Sequence, residues 1–167
     1  MHGIDRKFLI QIALLLVVAF GSLAYATGKY PDLPFLPQKT KVTELVIKDI
    51  KVKVEIADNT SKRRLGLGGK DSIKEDEGML FVFPKEEQPL FWMKGLKFPL
   101  DMVWIRDNRV VDIIKDAPVP AEGQTDDDLP RYMPKEDIDM VLEVNAGFVD
   151  KHNIQVGDEV KVDLNKI

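Results

Sequence analysis

Two short aromatic runs between backbone breakers constrain this chain more than any other feature. Met79–Phe83 and Leu90–Met93 lie within Gly78–Asp101, a stretch that holds four of the eight Phe and one of the two Trp. Each run is too short for a helix. Gly78, Pro84, Pro89 and Gly95 bound them, which is the punctuation of buried strands. A chain committed here to short buried strands has to close a sheet around them.

The flanking sequence repeats that period. Leu45 and Ile47 alternate with Val46 and Lys48, and Ile50, Val52, Val54 and Ile56 alternate strictly with Lys51, Lys53 and Glu55. The apolar parity changes at Lys48-Asp49, so two strands joined by a tight turn are expected there. Asp58-Asn59-Thr60 can cap a short helix, Ser61–Leu65, which Gly66 can end. Ser72–Asp76 is read as one helical turn. Leu100–Arg106 and Val110–Lys115 flank the hairpin signal Asp107-Asn108, and the first of these is apolar on both faces, as an interior strand is. Ala117–Pro134 has four Pro, the run Asp126-Asp127-Asp128 and no periodicity, so a long surface loop is expected. Ile138–Val144 reads as a strand, Ala146–His152 as a helical turn, and Glu159–Leu164 as a last strand. About eight short strands without alternating long helices argue against a doubly wound fold. The expected fold is mostly β: a small antiparallel β-barrel or curled sheet with two short helices, preceded by an N-terminal hydrophobic export segment.

That segment is residues 1–26. Arg6 and Lys7 precede the apolar run Phe8–Phe20, and Ala24-Tyr25-Ala26 supplies a small-residue exit, the three parts of a signal peptide, with cleavage expected after Ala26. An uncleaved membrane anchor is the alternative, since at ~1.5 Å per residue Phe8–Ala26 just crosses ~30 Å of hydrocarbon. Either one places the rest of the chain outside the cytoplasm, membrane-anchored or secreted. Residues 27–41, with Pro31, Pro34 and Pro37, read as a linker, and residues 42–167 as a single domain of a size that folds without disulfides or metal.

Composition excludes more chemistry than it suggests. There is no Cys, which removes thiol catalysis, zinc ribbons and iron–sulfur ligation. Net charge is −4 with both signs interspersed, so nucleic acid is disfavoured as a partner. Gly66-Leu67-Gly68-Gly69-Lys70 resembles a phosphate loop only loosely: Asp71 follows Lys70 and a helix precedes the glycines, so a turn of positive φ is the simpler reading. His2 and His152 give no material for a triad or metal site. Asp126-Asp127-Asp128 lacks calcium-loop spacing. No cofactor and no metal are expected.

The polar residues set in apolar sequence are the candidates for function. Asp101 shares a strand face with Val103 and Ile105, and Lys94 stands beside Trp92. A buried carboxylate requires a partner, and Lys94 is the partner expected. Lys70, Trp92, Lys94, Asp101 and Glu143 are accordingly read as a candidate binding cleft, with Trp92 as a flat stacking surface. The competing structural reading makes Lys94 and Asp101 a simple pair and Trp92 core. A third possibility pairs Asp101 with Glu143 as the acid and base of a hydrolase acting on an envelope polymer.

Several stretches together resemble the domain of unknown function 192 family: Gly66-Leu67-Gly68-Gly69-Lys70 with Ser72-Ile73, Gly78-Met79-Leu80-Phe81-Val82-Phe83, Phe91-Trp92-Met93-Lys94, Pro99-Leu100-Asp101, Leu142-Glu143 with Ala146-Gly147-Phe148, and Val156-Gly157-Asp158. The resemblance covers Ile50–Leu164. It implies one mostly β domain, often exported, with no established activity. Lys70 stands where the family often has Arg, and Gly95 where it commonly has Asn. A ligand- or partner-binding module at the cell envelope is the leading expectation, its ligand a small molecule, a glycan or an envelope protein. A structural or assembly module is the other alternative.

Overall fold

The computed structural model describes residues 40–164, together with Gln11, Ile12 and Leu15, which have helical backbone. The expected signal peptide or anchor at 1–26 and nearly all of the linker at 27–41 lie outside the described residues. Among the described residues no helix is long and apolar enough to cross a membrane.

Seven strands form one sheet. In chain order they are β1 (Lys41–Ile47), β2 (Ile50–Ala57), β3 (Glu77–Glu87), β4 (Leu100–Arg106), β5 (Arg109–Ala117), β6 (Ile138–Asn145) and β7 (Val160–Val162); helix α1 (Thr60–Leu65) follows β2 and helix α2 (Phe148–Lys151) follows β6. The spatial order is β5-β4-β6-β3-β2-β1-β7. Every pairing is antiparallel except β2 with β3, which α1 and the glycine-dense turn after it bring back parallel. The two edges meet at one end only. There Val110 N–H donates to Asp158 O at 3.0 Å and Val160 N–H to Asn108 O at 2.8 Å, through an Arg109–Glu159 bridge. The result is a curled half-barrel, as the period-2 sequence predicts.

The curl gives the sheet two differently covered faces. Leu45, Val52, Leu80, Val103, Val110, Leu142 and Val160, one from each strand, belong to a single core with Phe148 and Val149 of α2. A cluster fed by all seven strands is the interior of the curl. The opposite face of β3, β4 and β6 buries Met79, Phe81, Met102, Trp104 and Val141 under Leu67, Met93 and Phe98, which come from the loops. This second face is where the aromatic residues collect.

Local sequence accounts for the turns. Lys48 has φ 54° between β1 and β2, and Asp107 and Asn108 have φ 50° and 58° between β4 and β5, the left-handed pair that a two-residue hairpin needs. Asn59 caps α1 by accepting from Lys62 N–H, and Gly66 ends it with φ 54°.

Three expectations are corrected. Leu90–Met93 is no strand: only Phe91 pairs, with Tyr132, through bonds of 2.8 and 2.9 Å, which brings the strand count from eight to seven. β3 instead runs on past Pro84 to Glu87, with its pairing to β6 interrupted between Val82 and Glu87, where proline cannot donate. Ser72–Asp76 forms no helix: a single turn closes where Glu77 N–H donates to Lys74 O at 3.1 Å, and the Asn145 side chain donates to the carbonyls of Ile73 and Lys74 at 3.2 and 3.0 Å. Strand β1 begins at Lys41, which pairs with Ile56.

Candidate functional site

A pocket of about 470 Å³ opens on the aromatic face, between α1 and the 89–96 loop. Strand β3 supplies Phe81 and Phe83, the loop supplies Phe91, Trp92, Lys94 and Leu96, α1 supplies Arg63, Arg64 and Leu65, and Arg131 reaches in from the long loop. Glu143 on β6 is also in the wall. Phe91 holds the wall to the core, edge-on to Phe81 at 4.9 Å and to Trp104 at 5.3 Å, a geometry that adds to simple burial.

The mouth is both apolar and basic. Leu65 is 69% exposed, Leu90 60% and Trp92 38%, a concentration of large apolar side chains at one opening rather than scattered singles. The Arg131 guanidinium lies 4.2 Å from the Trp92 ring centre and Lys94 Nζ 5.2 Å from it, while Arg63 lies 5.2 Å from the Phe83 ring. Such cation–ring contacts hold side chains flat against the wall. Arg63 also donates to Val82 O at 2.9 Å and Arg131 to Asp126 O at 2.9 Å. The Arg64 side chain makes no hydrogen bond or ion pair with any described residue and is exposed.

Glu143 differs from everything around it. It is 4% exposed, its carboxyl makes no hydrogen bond with any described residue, and burial pushes its acid up to about 8. Desolvation disfavours the ionised form and nothing offsets it, so at neutral pH the group is mostly the uncharged acid. On the neighbouring strand of the same sheet face, Trp104 is fully buried, and its indole N–H has no partner among the described residues.

Of the five residues expected to form a cleft, Trp92, Lys94 and Glu143 line the pocket; Lys70 and Asp101 do not. Lys70 pairs with Glu55 at 2.8 Å. The Lys94–Asp101 pair is absent, because Lys94 bonds Asp126 in the long loop. Asp101 is fully buried and accepts instead from two backbone donors, Asp116 N–H and Val149 N–H, each at 2.9 Å. A strand carboxylate can be satisfied by backbone alone, which residue types in sequence do not reveal. Asp101→Ala would leave the buried Val149 N–H unpaired and deprive the part-buried Asp116 N–H of its acceptor at the junction of β5 and α2, a loss of about 2 kcal/mol. Urea unfolding checks it; an unchanged midpoint would mean that water replaces the carboxylate.

The acid–base dyad is also removed. Met102 faces Glu143 and Asp101 faces Val144 across β4 and β6, so neighbouring positions place the two carboxyls on opposite faces of the sheet. Asp126 bonds Lys94 and Asp128 bonds the Thr125 hydroxyl. Among the described residues no group of three or more His, Asp or Glu side chains is placed to hold a metal.

Arg63, Arg64, Arg131 and the Phe81–Phe83 wall were not apparent from sequence. The only signal was the adjacent pair Arg63-Arg64 on a helix with no buried residue.

Fold and pocket define a small β half-barrel protein with a basic, aromatic-walled cavity on its convex side. Residues 43–162 match the family model DUF192, described as an uncharacterized ACR. The chain belongs to that family. It is similar to the crystal structure of a candidate transcription regulator from Sinorhizobium meliloti 1021, with TM-score 0.64 and 28% identity over 75% of this chain and 95% of that one. It is also similar to a protein of unknown function from Novosphingobium aromaticivorans DSM 12444, with TM-score 0.61 and 22% identity over 74% of this chain and 85% of that one. No curated protein matches it.

Proposed function

We propose that this domain is a small-ligand-binding module that works outside the cytoplasm, taking its ligand into the pocket between α1 and the 89–96 loop. One observation carries the reading. The pocket joins exposed apolar side chains, a ring of cations and a buried acid with no partner, whereas a wall that served packing alone would bury its aromatics and pair its acid. The export reading rests on residues 1–26 of the sequence.

The alternatives have less support. A hydrolase loses its acid and base once Asp101 and Glu143 lie on opposite faces. A purely structural module has no use for a cavity of this volume. The regulator description of the Sinorhizobium protein is not carried over, because the cations here ring a pocket on an acidic chain rather than form a stripe.

A fragment screen read by NMR tests the proposal. Binding fragments are expected to shift the resonances of Leu65, Phe91 and Trp92 together, and Trp92→Ala should weaken them about tenfold without lowering the melting temperature by more than a few degrees. Shifts scattered over other surfaces, or none from a broad library, would defeat it. Cell fractionation with mass spectrometry of the mature terminus tests location: start sites at Thr27 or Met1 in the envelope fit it, and a cytoplasmic product does not.

A further inference from the structure

We infer that the pocket selects a planar anion with two polar ends, its negative group held by the basic rim and its inner end presenting an amide-like N–H and C=O edge to Glu143. This rests on the pocket being a binding site at all, and adds what the site would recognise.

The rim decides the sign of the ligand. Arg63, Arg64, Lys94 and Arg131 stand round the opening, and among the described residues only Lys94 is paired to a carboxylate there, Asp126. Arg63 and Arg131 spend hydrogen bonds on backbone carbonyls, which neutralise no charge. Arg64 spends none. A cation entering would meet an excess of like charge in a partly apolar mouth where screening is weak; an anion would meet bidentate donors.

The walls decide its shape. Phe81, Phe83, Phe91 and Trp92 line the cavity, and three rings together with an exposed indole favour a flat body that can stack.

The inner end is decided by Glu143. A neutral carboxylic acid has one O–H to donate and one C=O to accept. A primary amide or a lactam edge matches both, giving two parallel hydrogen bonds with no charge to bury. A simple hydrocarbon end would leave the acid unpaired, at a cost. The uncharged state of Glu143 is the one that burial imposes.

The probe is a naphthalene bearing a carboxylate at one end and a primary carboxamide at the other, titrated at pH 7 by calorimetry against three relatives: its neutral methyl ester, the analogue with an aminomethyl group for the carboxylate, and plain naphthoate. The carboxamide acid is expected to bind at least tenfold tighter than the ester and the amine, and about tenfold tighter than naphthoate. Arg64→Ala should shrink the first advantage. Glu143→Met should abolish the second while leaving naphthoate binding unchanged, which separates recognition from a folding defect. Equal binding of all four, or preference for the amine, overturns the inference and leaves the pocket as a site for other ligands. No binding by any of the four, with fragments still shifting Trp92, also overturns it. Silence in both experiments removes the pocket reading as well.

Discussion

Gly78→Ala is expected to cost about 4 kcal/mol or more and to lower the melting temperature by roughly 15 °C, at ~4 °C per kcal/mol for a domain of this size. Gly78 lies in β3 between β2 and β6, opposite Val54 and Val144. A Cβ built there would sit 2.5 Å from the Glu143 carbonyl oxygen and 3.0 Å from Val144 Cγ1. The first of these is backbone and cannot swing aside. To admit one methyl group, β3 would have to part from β6 in the middle of the sheet, with core on both faces, and interiors this dense do not absorb such a shift. The contrast is Gly69→Ala. Gly69 has φ +80° with nothing within 4 Å of its would-be Cβ, so only backbone strain is added there, about 1 kcal/mol. Differential scanning calorimetry of the two variants decides the point: similar, small losses would show that the β3–β6 contact is soft.

Raising the pH from 5 to 9 is expected to weaken the folded state relative to Glu143→Gln by about 4 kcal/mol, with at most about 5 available. The ordinary Glu value is 4.5, and burial lifts Glu143 to about 8. Between those values the folded protein holds a proton that the unfolded chain has released. Stability from this group is therefore full below about 4.5, falls as pH rises toward about 8, and is flat above it. Glutamine keeps the shape of the neutral acid and cannot ionise, so the two proteins should be nearly equal at pH 5 and the variant more stable at pH 9. Asp139, also raised by burial, is present in both and cancels in the difference. Urea midpoints across the range measure it. A stability difference that stays constant with pH would mean that Glu143 is ionised in the fold, and would remove the neutral donor on which ligand selection depends.

The same residue connects the two predictions. Gly78 lets β3 lie close against the backbone of Glu143, and that fixes the height at which the acid stands beneath the aromatic wall. A variant that pushes β6 away is expected to open the pocket floor to water as well as to destabilise the sheet.

What the sequence determined by itself is local. Strict alternation over Ile50–Ile56, the parity break at Lys48-Asp49, the Asp107-Asn108 turn and the two apolar faces of Leu100–Arg106 each follow from side-chain period and left-handed turn chemistry, which act over a few residues. These elements stand in the structure as expected, and with them the mostly β curled sheet. Leu90–Met93 has the composition of a strand and no neighbour to pair with along its length, so it became pocket wall. The Lys94–Asp101 pairing failed for a related reason: charge complementarity in sequence gives a list of suitors, while burial and the sheet face decide which can meet. Asp101 points into the curl, where backbone N–H groups from β5 and α2 satisfy it, and Lys94 lies outside it. Only the tertiary structure could bring Arg63, Trp92, Arg131 and Glu143 to one cavity, because they come from four segments that touch nowhere in the chain. The polarity of Glu143 was likewise decided there: its residue type allows a charge, and the desolvation that withholds it exists only once β3, β4 and β6 are packed side by side.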